Sequence, residues 1–185
     1  SAVLVVTNPS VVYNTSAQSA TVGTTSSSVP GSIANILTGN AATQTNAATY
    51  AVTADFVPTD STNYNTLVGQ SAGNFVITKA TPSAVLVVTN PSVAYNTSAQ
   101  SATVGTTSSS VPGSITNIVT GGAATQTNVG TYVVTADFVP TDSTNYTSLL
   151  ALAAGNFDIT KINQATLTIN DPSVVVYGTT PTLTT

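Results

Sequence analysis

The sequence predicts an all-β protein built of tandem antiparallel β-sandwiches. Three observations predict it: the chain repeats itself, apolar and polar residues alternate in short segments, and β-branched residues dominate over helix formers. Of the 185 residues, 41% are hydrophobic and only 4% are charged. Disordered chains usually combine low hydrophobicity with high net charge, so we expect this chain to fold.

The repeat has a period of 82 residues. Residues 1–33 return almost unchanged at 83–115, and 65 of 82 aligned positions are identical between the two copies. Solenoid repeats are about 20–45 residues long, so a unit of this length is expected to be a whole small domain. We predict repeat 1 over residues 1–80, repeat 2 over 83–162, and the start of a third, divergent repeat over 165–185.

Each unit shows the alternation of β-strands. It is clearest over residues 50–56, where Tyr50, Val52 and Phe56 would share a buried face, and Phe75 and Ile77 are expected to point inward near the end of the unit. The equivalent inward residues of the second copy are Tyr132, Val134, Phe138, Phe157 and Ile159. The strands predicted for the first unit are 2–7, 11–13, 17–22, 33–38, 49–57, 64–69 and 74–79. Seven short strands in such a unit are typical of an immunoglobulin-like sandwich.

The connections between units are short. Only residues 80–83 separate the first two units, and only 162–165 follow the second. Pro82 lies in the first connection and fixes its own φ angle. We therefore expect a stiff rod of modules, in which Pro82 sets the angle between the first two.

Charge and composition exclude several classes of partner. The net charge is −4 and the chain has only two Lys or Arg residues, so it lacks the basic cluster that nucleic acids require. No apolar run approaches the roughly 20 residues of a membrane-spanning helix, and we expect no membrane insertion.

Several motifs occur in both units. They are TADFVPTDSTNY at 53–64 and 135–146, NFxITK at 74–79 and 156–161, and YNTSAQ at 13–18 and 95–100. Together they resemble MBG-type bacterial immunoglobulin-like repeats of large secreted adhesins and surface proteins. The segment VYGTTPTL at 176–183 is similar to a sister subtype. The resemblance implies the sandwich fold and an extracellular, cell-surface location, and it implies no catalytic residue and no cofactor.

Two loops contain oxygen ligands of the kind that Ca²⁺ binds. The candidates are Asp60 and Asn63 in the first unit and Asp142 and Asn145 in the second. A Ca²⁺ site needs about 6–8 oxygen ligands, usually several of them carboxylates, and each loop has one Asp. The favoured interpretation is an Asx-type turn in which Asp60 accepts nearby backbone hydrogen bonds while Tyr64 packs at the corner. We therefore expect no metal site.

The residue positions disfavour an intramolecular crosslink. An intramolecular crosslink would join Lys79 or Lys161 to a residue beside Asp55 or Asp137, but the strand register places both acids on the outward face. Lys79 is better explained as a solvated residue that blocks pairing at a sheet edge.

Three N-x-S/T sequons make Asn14, Asn96 and Asn145 candidates for glycosylation. A glycan would help to keep a chain with so few charges in solution.

The residue inventory argues against catalysis. His, Cys, Glu and Arg are all absent, so general acid–base or nucleophilic chemistry would depend on isolated Asp residues. We expect a structural segment of an extracellular fibre, filament or stalk on a bacterial cell surface, acting as rigid spacer and assembly unit. The alternative is an adhesin region that binds a glycan or a host or cell-surface ligand, and a solvent-facing row of Tyr would favour it.

Other copies of the chain are the expected partners. Soluble monomers usually protect sheet edges with charges, above all Lys, and this chain has two. Residues 165–185 hold only the first strand or two of a sandwich. They either begin a third module or complete a sheet in a neighbouring subunit by strand addition.

Overall fold

The computed structural model describes residues 1–165, and every regular element in them is a β-strand. The strands of module 1 are β1 (Ala2–Val6), β2 (Ser10–Val12), β3 (Val22–Ser27), β4 (Gly31–Thr38), β5 (Ala48–Pro58) and β6 (Leu67–Thr78). Those of module 2 are β7 (Ala84–Val88), β8 (Ser92–Ala94), β9 (Val104–Ser109), β10 (Gly113–Thr120), β11 (Gly130–Pro140) and β12 (Leu149–Thr160). Residues 1–165 contain no helix long and apolar enough to cross a membrane.

Each module consists of two facing sheets. In module 1, β1 pairs antiparallel with β3, while the second sheet has the strand order β2-β6-β5-β4. Strand β2 is parallel to β6, and the remaining pairs are antiparallel. Module 2 repeats this arrangement with a β7-β9 pair and a sheet of order β8-β12-β11-β10. The prediction of tandem immunoglobulin-like β-sandwiches is therefore confirmed.

The core of each module lies between its two sheets, where β1 or β7 crosses the long strands. The predicted inward residues are buried in both modules, namely Val52, Phe56, Phe75, Ile77, Val134, Phe138, Phe157 and Ile159. Tyr50 and Tyr132 are only half-buried. Each keeps its ring against the core and donates its hydroxyl to a backbone carbonyl at the module end, 2.7 Å away.

Two of the predicted strand boundaries were wrong. The segment predicted as a strand at 17–22 is mostly irregular, and the strand lies at 22–27, within a Ser/Thr-rich stretch. A strand in an exposed two-stranded sheet needs no apolar alternation, because its outer side chains meet water. The predicted strands 64–69 and 74–79 are one strand, β6, which continues through Gly69 and Gly73 at φ angles of 61° and 100°. Each module thus has six strands instead of seven.

The sequence predicts Asp55 on the outward face of its strand, and the side chain is nevertheless buried. It is 8% exposed, because the pairing register shifts on both sides of β5 at this level. Asn35 Nδ2 donates to Asp55 Oδ2 over 2.6 Å, and the Gly69 amide donates to Oδ1 over 2.7 Å. The carboxylate of β5 is therefore hydrogen-bonded to the irregular positions of both neighbouring strands, β4 and β6. A bulge disrupts the backbone ladder locally, and these hydrogen bonds hold the strands together there.

The predicted start of a third repeat lies, apart from Ala165, outside the described residues. The two explanations of this segment, a further module or strand addition to a neighbour, therefore remain predictions.

Candidate functional site

A loop of module 2 enters the end of module 1. We call residues 142–146 the plug loop; it follows β11 and is shaped by its own Asx turn. Asp142 Oδ1 accepts the Asn145 amide at 3.1 Å, Asp142 Oδ2 accepts Asn145 Nδ2 at 2.8 Å, and the Tyr146 amide donates to the Asp142 carbonyl at 3.1 Å. Asp and Asn side chains stabilise turns in this way, so the loop forms from local sequence.

The opposing surface consists of Tyr13, Asn46, Ala47, Lys79 and Ala80, and we call it the socket. These residues come from three separate parts of module 1: the end of β2, the approach to β5 and the exit from β6. The sandwich topology brings them together, because all three segments meet at the same end of the module.

Asn145 is the centre of the contact and is only 5% exposed. Its Oδ1 accepts the Ala47 amide at 2.7 Å, and its Nδ2 donates to Asn46 Oδ1 at 3.2 Å. Its backbone carbonyl accepts the Ala80 amide at 2.9 Å. A buried amide side chain with paired donors and acceptors fixes one relative position of the groups around it.

Further contacts surround Asn145. Lys79 Nζ donates to the Ser143 carbonyl at 2.6 Å, and the Thr147 amide donates to the Ala80 carbonyl at 3.0 Å. The rings of Tyr13 and Tyr146 meet edge to face, with centroids 5.3 Å apart and planes at 85°. Burial, followed by the nearby Tyr146 and Asp142, raises the pKa of the Tyr13 hydroxyl, so it stays neutral.

The corresponding loop of module 1, residues 60–64, has the same sequence and the same internal geometry. The Asn63 amide and Nδ2 donate to the two oxygens of Asp60 at 3.1 and 2.8 Å. Here nothing covers the loop among the described residues: Asn63 is exposed and Tyr64 is 49% exposed. Within the described part of the chain, the plug loop therefore lies inside the joint, while its counterpart at 60–64 lies on the surface.

Among residues 1–165, no loop fills the corresponding end of module 2. Tyr95, Val129, Lys161 and Ile162 line a pocket of about 430 Å³ together with residues 163–165. Lys161 makes no hydrogen bond within residues 1–165, in contrast to Lys79 in the joint.

The predicted Asx turns are present in both loops. The pKa of Asp60 is lowered chiefly by the side-chain hydrogen bond from Asn63 and next by the backbone hydrogen bond from Asn63. The carboxylate therefore stays charged and keeps accepting the hydrogen bonds of the turn. Tyr64 was predicted to pack at the corner of its loop, but half of its surface is exposed. Its equivalent Tyr146 does pack, against the ring of Tyr13. Within residues 1–165, no three Asp, Glu, His or Cys side chains are grouped so that they could hold a metal.

The three sequons differ in their surroundings. Asn14 and Asn96 are exposed, and their side-chain oxygens accept the amides of Ser16 and Ser98 at 3.0 Å. Asn145 is buried in the joint, and its Nδ2 makes two hydrogen bonds there. A glycan on Asn145 would therefore prevent the joint from closing, while one on either of the others would not meet this obstacle.

The groups considered for a crosslink are not brought together. Asp55 is held by Asn35 and Gly69, whereas the Lys79 amine bonds the Ser143 carbonyl of the other module. Lys79 is exposed, as predicted, but it contributes to the joint as well as to the solvated surface.

A family model for the MBG domain matches residues 2–81 and again residues 84–163. The chain belongs to the MBG domain family. MBG repeats are found in secreted, surface and adhesin-like proteins, which indicates a structural repeat role for this MBG chain. No curated protein and no solved structure matches it.

Sequence reasoning did not identify the joint. Asn145 stood out only as a Ca²⁺ and glycosylation candidate and Tyr13 only as part of a family motif, while Asn46 and Ala47 did not stand out at all. One signal was available: residues 60–64 and 142–146 are identical, although five of the six following positions differ between the copies. A loop kept constant beside variable neighbours is a candidate for a shared contact.

Proposed function

We propose that this chain is a structural repeat segment of an extracellular fibre, filament or stalk on a bacterial cell surface, acting as rigid spacer and assembly unit. The observation that carries the proposal is the joint, in which Asn145 is buried between two modules and bonded to both. A spacer must transmit position along its length, and this requires modules that do not rotate freely about their connections.

The energetics of the joint support stiffness. Each hydrogen bond contributes a net of only about 0.5–1.5 kcal/mol, because water competes for the same groups. The short connection offsets this weakness, since a tether of a few residues holds plug loop and socket at an effective concentration of roughly millimolar or more. Pro82 is itself buried and restricts the connection further. The closed joint is therefore favoured within one chain.

The composition of the chain supports a non-enzymatic role. Its few titratable groups are Asp, Lys and Tyr, and the acids of the two loops are engaged in turn hydrogen bonds. An adhesin that recognises glycans commonly stacks aromatic rings on the sugar, and Tyr64 is the one exposed Tyr among residues 1–165. The spacer role is thus better supported than ligand binding.

Distance measurements between spin labels test the proposal. The chain has no Cys, so Ser26→Cys and Ser108→Cys, on exposed equivalent strand positions, give one label in each module. We expect a narrow distribution of label-to-label distances, which Asn145→Ala should broaden. Asn63→Ala is the matched control, because among residues 1–165 the same side chain in the same turn bonds only to Asp60 of its own loop.

A broad distribution in the unaltered chain would contradict the spacer role. An Asn145→Ala distribution as narrow as that of Asn63→Ala would show that the joint does not set the geometry.

A further inference from the structure

We propose that Tyr13 and Tyr146 form a site of oxidative crosslinking, at which a carbon–carbon bond between the two rings joins module 1 covalently to module 2. The reagent is a one-electron oxidant of the peroxidase class, supplied with hydrogen peroxide. The inference rests on the same joint as the proposed function and adds a chemical reaction to it.

Tyr is the side chain of this protein that oxidants attack most readily. Cys and Met are the common targets of oxidation in proteins, and the chain has neither. It also has no Trp and no His, but it has seven Tyr. An electron removed from the folded chain therefore comes from a Tyr ring.

The joint holds two of these rings against each other. Tyr13 follows β2 of module 1 and Tyr146 ends the plug loop of module 2, and their ring centroids are 5.3 Å apart. Among residues 1–165, no other two aromatic rings are in such contact. Both side chains are half-buried, so a small oxidant reaches them and the rings have room to turn from edge-to-face to edge-to-edge.

The hydroxyl ends of the two rings lie near each other. Burial raises the pKa of the Tyr13 hydroxyl most, and the next causes are Tyr146 and Asp142. The carbons that couple are adjacent to the carbon that bears the hydroxyl, so the reactive ends of both rings lie within the contact. Tyr50 and Tyr132 instead donate their hydroxyls to backbone carbonyls of their own modules at 2.7 Å.

The reaction balances with hydrogen peroxide as the oxidant. Each phenol gives one electron to the peroxidase and its hydroxyl proton to solvent, which leaves two tyrosyl radicals. The radicals combine by forming a bond between one ortho carbon of each ring. Each of these carbons then loses its proton while each phenol oxygen regains one. The two rings together lose two hydrogen atoms, and one molecule of hydrogen peroxide is reduced to two of water.

The short connection favours coupling within one chain. Residues 80–83 link the modules, and a tether of this kind gives an effective concentration of roughly millimolar or more. In a dilute solution, two radicals in one joint therefore combine before radicals of separate chains meet. The crosslinked joint cannot open, so the reaction makes the stiffness of the spacer permanent.

Peptide mapping of the full chain after treatment with a peroxidase and hydrogen peroxide tests the proposal. The oxidised chain is unfolded in urea and digested with trypsin, which separates residues 1–79, containing Tyr13, from residues 80–161, containing Tyr146. We expect the two peptides to remain joined, at their summed mass less two hydrogen atoms. Fragmentation should place the bond at Tyr13 and Tyr146, and its yield should not depend on protein concentration.

Phe variants provide matched controls, because they keep the ring and remove the phenol. Tyr146→Phe should abolish the joined peptides, whereas Tyr64→Phe, in the equivalent loop of module 1, should crosslink like the parent. Asn145→Ala weakens the joint and should lower the yield, and Asn63→Ala should leave it unchanged. Circular dichroism of each variant checks that the fold is intact.

Peptides that separate after oxidation, a bond that Tyr146→Phe leaves in place, or a yield that rises with protein concentration would each overturn the proposal. The label-to-label distances separate this failure from failure of the proposed function. A narrow distance distribution in a chain that forms no crosslink refutes the reaction and leaves the rigid spacer in place.

Discussion

Two different residues, Gly69 and Ala151, occupy equivalent positions at one bulge of the long closing strand. Gly69 in β6 and Ala151 in β12 have φ angles of 61° and 52°, and the amide of each donates to an Asp carboxylate at 2.7 Å. The left-handed conformation is therefore required by the hydrogen bond in both modules. Glycine adopts it without cost, whereas an L-residue with a Cβ is strained by roughly 1–2 kcal/mol.

Exchanging these two residues should have opposite effects on stability. We expect Ala151→Gly to stabilise module 2 and Gly69→Ala to destabilise module 1, each by about 1 kcal/mol. A Cβ at position 69 would meet no atom within 4 Å, so the effect isolates the backbone conformation. Urea denaturation measures both. Equal stabilities of the parent and the Gly69→Ala variant would contradict the assigned strain.

The carboxylate at the same bulge predicts a pH dependence. The pKa of Asp55 lies below its ordinary value of 3.8, chiefly because Asn35 donates a side-chain hydrogen bond to it and secondly because the Gly69 amide does so. Folding lowers this pKa, so the stabilisation is fully present above the ordinary value and is lost as pH falls through the folded value.

Replacing the acid should remove that part of the pH dependence. We expect Asp55→Asn to be less stable than the parent near neutral pH and to lose less stability on acidification to about pH 3. Urea denaturation at a series of pH values gives the comparison. Parallel curves for the two chains would show that Asp55 is not responsible.

The strands show which patterns in the sequence are sufficient and which are not. Alternation placed Val52, Phe56, Phe75 and Ile77 correctly, because one face of each strand is buried and a period of two residues follows directly. The strand at 22–27 was not predicted, since its residues show no alternation of apolar and polar side chains. Glycines interrupt the pattern of β6 without ending the strand.

Truncating one buried aromatic side chain of β5 should have a large effect on stability. Phe56 is among the most buried residues and lies between the two sheets of module 1. Phe56→Ala should lower the free energy of unfolding by about 3–5 kcal/mol, as truncation of a buried aromatic does. Val12→Ala is the control: Val12 is exposed, module 2 has Ala94 there, and the change should stay within about 0.5 kcal/mol. Calorimetry of both variants tests the difference.

The arrangement of the whole molecule depends on contacts that no local pattern encodes. Ala47 and Asn145 are 98 positions apart, and their hydrogen bond exists only because two completed sandwiches meet end to end. The sequence could predict two modules and a short connection. It could not predict which loop fills which surface, because that follows from the positions of three segments in the folded module 1.

The connection itself is expected to contribute less to rigidity than the joint around it. Pro82→Gly frees one backbone angle but leaves the plug loop in its socket, whereas Asn145→Ala leaves the Ala47 amide without its acceptor, at a cost of about 1–3 kcal/mol. We therefore expect Pro82→Gly to broaden the label-to-label distances less than Asn145→Ala. A larger effect of Pro82→Gly would show that the covalent connection, not the packing, sets the angle.

The position of Lys79 has a consequence for digestion. Proteases that cut after Lys or Arg find only two such residues in this sequence, Lys79 and Lys161. The peptide bond after Lys79 enters the joint, where the Lys79 amine, the Ala80 amide and the Ala80 carbonyl are all bonded to module 2. Trypsin must draw several residues into its cleft, so this bond is cut only from molecules whose joint has opened. When opening and closing are fast, the rate of cleavage after Lys79 is proportional to the fraction of molecules whose joint is open. Trypsin digestion therefore measures that fraction.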